Sequence, residues 1–246
     1  MEILGIDVGG TGIKGALVNI KTGELTTERH RIRTPKNATP KAVAKKIQKI
    51  IDHFQWNGLV GCGFPTPLMH GKCITGGNLH EKWEGVNVKD LFKEKTGNEF
   101  SVVNDADAAG LAEVNFGIGK NKKGVVVMIT LGTGIGSGIF LDGKLLPNTE
   151  LGHIFTEKGE EFENYAADSV RKKESLTQKQ WGKRLHEYFR HLQLILSPDL
   201  IIIGGSASKR IEKYEKQIDI SIPLVAAESQ NDAGIIGAAV AAKYHL

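Results

Sequence analysis

Cysteine is nearly absent: a chain of 246 residues holds two, Cys62 and Cys73. Two thiols build no disulfide framework, and with no C-x-x-C or H-x-x-x-H spacing they offer no closed set of metal ligands, so both read as buried thiols. Proline is scarce, 7 residues against 30 glycines, and with 40% hydrophobic and 24% charged residues this fits a folded globular chain and excludes a disordered or collagen-like one. Long apolar runs are missing; the stretch Val125 to Leu131 falls far short of the roughly 18 residues of a membrane span. Met1-Glu2-Ile3 lacks the basic start of a secretory signal, so a cytoplasmic protein free of the membrane is expected. No excess of one charge exists either: 32 Lys+Arg against 28 Asp+Glu leaves +4, too little for a dedicated nucleic-acid binder. Basic residues do bunch at Lys120-Asn121-Lys122-Lys123 and at Arg171-Lys172-Lys173. The plainest reading makes both solvated loops, and the alternative is an anion-binding patch.

What is present is a strand and turn pattern that occurs twice. Glu2 to Val8 alternates as a strand, runs into Gly9-Gly10-Thr11-Gly12, and is followed by predicted strands at Ile13 to Ile20 and Leu25 to Thr34. A helix is predicted over Thr39–Trp56, a buried strand over Leu59 to Phe64, and an irregular stretch over Leu68 to Gly85. A short helix at Val88–Lys95, a strand at Phe100–Asn104 and an Ala-rich helix from Ala106 to about Asn115 close the first half. The second half restarts with a strand at Gly124–Leu131, the turn Gly132-Thr133-Gly134-Ile135-Gly136, a strand at Ser137–Leu141 and the hairpin signal Asp142-Gly143. A long helix at Thr177–Leu196, a strand at Leu200–Ile203 and a small-residue helix at Asp232–Tyr244 follow. Gly10-Thr11-Gly12-Ile13 and Gly132-Thr133-Gly134-Ile135 are identical, and each sits between two apolar strands. Strands alternating with helices and an internal repeat predict two related α/β domains.

Gly10-Thr11-Gly12-Ile13-Lys14-Gly15 matches G-x-G-x-x-G, but that dinucleotide fingerprint must open a helix, and Ala16-Leu17-Val18-Asn19-Ile20 reads as a strand. No Walker A sequence exists in the chain. Glycine-rich hairpins can still hold phosphate, because residues without side chains let backbone N–H groups converge on an anion. Asp7, just ahead of the first turn, is placed for a magnesium ion or a turn cap. Asn104-Asp105 ends a strand and begins a helix; either residue could be an N-cap, yet a strand end in an α/β fold is also where ligands meet the sheet. Glu150, His153 and Glu163 supply polar groups of the kind a polyhydroxy ligand needs, or those of a surface loop.

Asp7 to Gly15, Asn104-Asp105-Ala106-Asp107-Ala108-Ala109-Gly110, Leu131 to Gly136 and Glu150-Leu151-Gly152-His153 together resemble the ROK family of sugar kinases, in order and spacing over essentially the whole chain. The short length, Gly-Ile-Lys-Gly at 12–15 and Pro147 to His153 are most similar to its branch of polyphosphate glucokinases. The resemblance implies an actin-like, hexokinase-type (ribonuclease H-like) α/β fold of two domains around a central cleft. The smaller would comprise 1–105 with the C-terminal helix 232–246, and the larger 106–231. It implies phosphoryl transfer from polyphosphate, ATP or both to the 6-hydroxyl of glucose, with Asp105 as general base. Asn78, Asn104, Glu150, His153 and Glu163 would hold sugar hydroxyls. Asp7, Gly9, Gly10, Thr11, Gly12, Lys14, Gly132, Thr133 and Gly134 would serve donor phosphates, with Mg²⁺ held at Asp7 through water and Gly204-Gly205 near the nucleoside end. Many relatives carry a zinc-binding cysteine stretch before the residue matching Glu163; here Phe155 to Phe162 has no cysteine, so no zinc is expected and packing must hold that loop. Relatives suggest a homodimer.

If polyphosphate is a donor, Lys120, Lys122 and Lys123 are the expected basic track, since they precede the strand into the second turn. Other readings stay open: a strictly ATP-dependent ROK hexokinase acting on glucose or another hexose, or a non-catalytic sugar-binding ROK protein. A repressor of the family would need a DNA-binding extension, for which Met1-Glu2 leave no room.

Overall fold

The computed structural model describes residues 1–77 and 79–244. They group into two compact units, Met1–Ala112 with Asp232–Leu246, and Glu113–Asn231.

The first unit opens with β1 (Glu2–Val8), β2 (Gly12–Asn19) and β3 (His30–Arg33), an antiparallel meander. Helix α1 (Pro40–Phe54) follows, with Pro40 at its first position, where no N–H is needed. Its apolar stripe of Val43, Ile47, Ile50 and Ile51 is buried, as the helical spacing predicts. Next come β4 (Val60–Phe64), the two-residue strands β5 (Leu68–Met69) and β6 (Lys72–Cys73), α2 (Val88–Thr96), β7 (Phe100–Asn104) and α3 (Asp105–Phe116). Asn87 caps α2 by accepting from the Asp90 N–H, and Gly97 ends it in the left-handed conformation. The sheet order is β3-β2-β1-β4-β7, with β1, β4 and β7 parallel.

The second unit repeats that plan. It contains β8 (Val125–Leu131), β9 (Ile135–Leu141), β10 (Lys144–Leu146), α4 (Phe162–Ala166), α5 (Asp168–Lys173), α6 (Gln178–Leu196), β11 (Leu200–Gly204) and β12 (Leu224–Ala226). The order β10-β9-β8-β11-β12, with β8, β11 and β12 parallel and the rest antiparallel, is that of the first sheet strand for strand. Thr177 and Gln180 form a reciprocal capping box at the start of α6. Trp181, Leu185, Tyr188, Phe189 and Leu192 on α6 cover the second core.

The last helix, α7 (Ala233–Lys243), belongs to the first unit and lies directly on β1 and β4. Small residues make that approach possible. A methyl group at Gly5 would strike the Ile235 carbonyl, one at Gly61 the Ala238 carbonyl, and one at Gly237 the Ala108 carbonyl on α3.

Three sequence expectations change. The third strand spans four residues instead of ten, because Thr27 Oγ1 accepts from the Leu17 N–H at 3.0 Å and a side chain thereby takes over the ladder. The stretch after β4 is partly organised: Trp83 is buried and its Nε1 donates to the Ala38 carbonyl at 2.8 Å. Arg171-Lys172-Lys173 forms the end of α5, where Arg171 and Lys172 are bound to a buried carboxylate; it is not a solvated loop. Both cysteines are buried thiols, as expected, and burial pushes the Cys62 thiol well up.

Candidate functional site

In the first unit the candidate groups gather where the three parallel strands end. Register pairs Asp7 with Gly63 and Phe64 with Asn104, so the ends of β1, β4 and β7 lie side by side, the edge at which open α/β sheets take ligands. Gly9 N–H donates to the Gly12 carbonyl at 3.0 Å and closes the first turn around Gly10 and Thr11. Thr34 fastens that turn from β3's end, its Oγ1 donating to the Gly9 carbonyl at 2.6 Å.

Asp7 Oδ2 accepts from Lys14 Nζ at 3.0 Å, so two groups singled out separately in the sequence form one ion pair. Asp7 is a group of the kind Mg²⁺ takes, since that ion commonly uses one or two protein carboxylates and completes its shell with water and phosphate oxygens. Gly234 of α7 lies so close that a methyl there would press on the Asp7 carboxyl.

Asn104 is buried; its Oδ1 accepts from the Ala106 N–H at 2.8 Å and its Nδ2 donates to the Thr66 carbonyl at 3.4 Å. These bonds cap α3 and tie down the loop after β4, which is the N-cap role its residue type allows. Asp105 is the first residue of α3, half-buried, with its backbone near Gly63 of β4. Asn78 lies outside the described residues.

In the second unit the same edge carries the second turn. Gly132 N–H donates to the Gly134 carbonyl at 3.0 Å and closes the second turn around Thr133, a tighter closure than the Gly9 to Gly12 bond of the first. Glu163 Oε2 accepts from the Ile135 N–H at 2.8 Å and lies where a side chain on Gly134 would be, so this carboxylate braces the turn. Ser137 Oγ donates to the Thr149 carbonyl at 2.6 Å and accepts from the Leu151 N–H at 2.9 Å, which fixes the chain on either side of Glu150. Gly152 can take no side chain because the Ile135 carbonyl lies against it.

Glu150, His153 and Glu163 are thereby brought together. Burial pushes the Glu150 carboxyl up; His153 opposes the shift and Glu163 adds to it. His153 Nδ1 stands 3.2 Å from Glu161 Oε2, a neighbour the sequence did not single out. The loop up to Phe162 is closed by Thr156 N–H donating to the Glu160 carbonyl at 2.8 Å and Phe162 N–H to the Ile154 carbonyl at 2.9 Å. Phe162 then buries its ring 5.2 Å from that of Tyr188. Among the described residues no group of three or more His, Cys, Asp or Glu could hold a metal ion.

Gly204 pairs with Thr130, and Gly205, at φ +71°, lies against Leu131, so both reach the same edge as Gly132. Lys120, Lys122 and Lys123 do not. They precede Val125, at the far end of the seven-residue β8 and about 20 Å along it from the turn at 3.3 Å per residue.

Two sheets of one strand order, each with a glycine turn at the carboxyl edge of its first parallel strand, place the molecule in the class of two-domain α/β proteins of actin-like, hexokinase type. The chain belongs to the ROK family, whose family model matches residues 3–164. It is 43% identical over 238 residues to the polyphosphate glucokinase of Mycobacterium tuberculosis (strain ATCC 25618 / H37Rv), covering 96% of this chain and 89% of that one. The crystal structure of the inorganic polyphosphate/ATP-glucomannokinase from Arthrobacter sp. strain KM matches with a TM-score of 0.94 at 39% identity, covering 100% of this chain and 99% of the other. A ROK family glucokinase from Streptomyces griseus, crystallised with glucose and AMPPNP, matches with a TM-score of 0.85 over 99% of this chain and 100% of the other; at 21% identity it supports the fold alone.

Proposed function

We propose that this protein is a glucokinase that transfers a phosphoryl group from inorganic polyphosphate or ATP to the 6-hydroxyl of glucose. The observation that carries the reading is the full-length likeness to proteins named for that chemistry, 43% identity over 96% of the chain in one case and a TM-score of 0.94 in another. The geometry of each unit agrees with it. Phosphoryl transfer is mostly positioning and charge stabilisation, and it needs a proton acceptor, anion-binding backbone groups and polar contacts to the acceptor.

Asp105, at the strand edge of the first unit, accepts the proton of the 6-hydroxyl as that oxygen bonds to the terminal phosphorus and the bond to the remaining phosphate chain breaks. Glu150, His153 and Glu163 hold sugar hydroxyls, joined by Asn78 and Asn104. Backbone N–H groups of the turns at Gly9 to Gly12 and Gly132 to Gly134 receive phosphate oxygens, and Gly204-Gly205 lies toward the nucleoside of ATP. Mg²⁺, held at Asp7, would neutralise charge on the transferring phosphate. Lys14 keeps the Asp7 carboxylate in place and adds a cation near the first turn.

The deciding measurement is a coupled assay of glucose 6-phosphate with ATP and polyphosphate run in parallel. Product from both donors is expected. Product from ATP alone leaves an ATP-dependent glucokinase, and none from either overturns the reading. Activity is also expected to need magnesium and not zinc. Exhaustive dialysis against a zinc-selective chelator followed by magnesium alone should restore full turnover, whereas lasting loss of activity or of folded signal would reveal a zinc requirement. A cytoplasmic homodimer acting in glucose metabolism completes the proposal, since glucose and both donors meet in the cytoplasm; sedimentation of the purified protein checks the dimer.

A further inference from the structure

The second unit holds a charged cluster that the reaction as drawn leaves unused. Asp168, fully buried at the start of α5, accepts from Arg171 Nε at 2.7 Å and Lys172 Nζ at 2.8 Å, from Arg210 Nη2, and from Ser206 Oγ at 3.3 Å. Burial alone would raise its carboxyl, but the hydrogen bonds from Lys172, Arg171 and Arg210 outweigh it and hold the group well below the usual carboxylate range. One negative charge therefore anchors three positive ones. The surplus reaches solvent chiefly at Lys172, 61% exposed, with Lys173 and Lys209 exposed nearby in sequence.

This cluster is joined to the second glycine turn. Ser169, the next residue after Asp168, donates its N–H to the Gly132 carbonyl at 3.0 Å and its Oγ to the Thr133 carbonyl at 2.6 Å. Ser206 follows Gly204-Gly205 directly at the end of β11. The positive surplus thus stands beside the turn, while the Lys120 to Lys123 group stands at the other end of β8.

We propose that the Arg171, Lys172, Lys173, Lys209 and Arg210 cluster binds the distal phosphoryl units of an inorganic polyphosphate donor. The inference rests on the reading of the protein as a polyphosphate-using kinase and names a site for that donor. A polyphosphate carries negative charge on every unit, so beyond the units seated at the turn it requires cations at repeated positions, and exposed lysines beside anchored guanidinium groups supply them. ATP ends in a nucleoside and has no such requirement.

The test is isothermal titration of the full chain at low salt with long-chain inorganic polyphosphate, with tripolyphosphate and with ATP. The variant Lys172→Gln/Lys173→Glu/Lys209→Glu alters exposed side chains and leaves both arginines on Asp168; its thermal midpoint is measured alongside. The dissociation constant for the long chain is expected to rise about tenfold, from the loss of several exposed charge contacts, and those for tripolyphosphate and ATP to stay within about twofold. Added salt should narrow the gap as the charges are screened. In the same assay Lys120→Glu/Lys122→Glu/Lys123→Glu should stay within about twofold of the unaltered protein. An unchanged long-chain affinity in the first variant, or equal weakening of tripolyphosphate, overturns the site, as does failure of the unaltered protein to bind the long chain. Absence of ATP-dependent glucose phosphorylation counts instead against the kinase reading, and the titration still decides the site.

Discussion

Asp105→Asn is expected to keep the fold and much of the glucose affinity while losing about 10²–10⁴ in kcat, the range for removal of a general base. The amide has nearly the shape of the carboxylate and can still hydrogen-bond at the strand edge, so the lost property is proton acceptance. A side effect is foreseeable: Asp105 begins α3, where a negative charge favours the helix dipole by about 0.3–1 kcal/mol, and Asp107 remains in the same turn. A slightly lower thermal midpoint is therefore compatible with the chemical role, but a turnover number near that of the unaltered protein removes Asp105 from it. Measuring kcat and KM for glucose separately shows whether the loss lies in the chemical step.

Gly237→Ala is expected to cost at least about 3 kcal/mol, lowering the midpoint by roughly 6–12 °C for a chain of this size. The sign decides between two physical effects. Helix propensity alone favours alanine over glycine by about 1 kcal/mol. Against that, the new methyl would meet the Ala108 carbonyl, a backbone atom fixed in α3 that cannot turn away as a side-chain tip can. Gly61→Ala, aimed at the Ala238 carbonyl from the sheet side, should behave alike. An unfolding midpoint that stays level or rises in both variants would show that α7 slides on the sheet at little cost.

The features legible in the sequence were those encoded locally. Alternation and apolar runs located the five strands of the first sheet and β8, β9 and β11 of the second, while β10 and β12, three residues each, are too short to leave a pattern; the two Gly-Thr-Gly-Ile turns announced the duplicated plan because a turn that presents its backbone excludes side chains. The starts of the two long helices were placed to within a residue: Thr177, whose side chain caps α6, precedes that helix, and Thr39-Pro40 opens α1, with the proline at its first position. What escaped depends on distant partners. Asp168 and Arg210 are 42 residues apart in sequence, so nothing local marks either one, and the Arg171 to Lys173 run looks like any solvated stretch until the buried carboxylate is seen. Helices α4 and α5 have only five and six residues, too short for a periodic signal. Glu163 was singled out for sugar alone, whereas its bond to the Ile135 N–H also sets the second turn.

That double engagement of Glu163 has a thermodynamic consequence. On the proposed reading, in which the turn at Gly132 to Gly134 receives the donor and Glu163 holds sugar beside Glu150 and His153, a carboxylate that also braces that turn makes the two occupancies a linked equilibrium. Whatever factor glucose applies to the dissociation constant of the donor, the donor must return to that of glucose, since the free energy around the closed cycle is zero. Glu163→Gln, which keeps the oxygen toward Ile135 but drops the charge, should reduce both factors together and by the same amount.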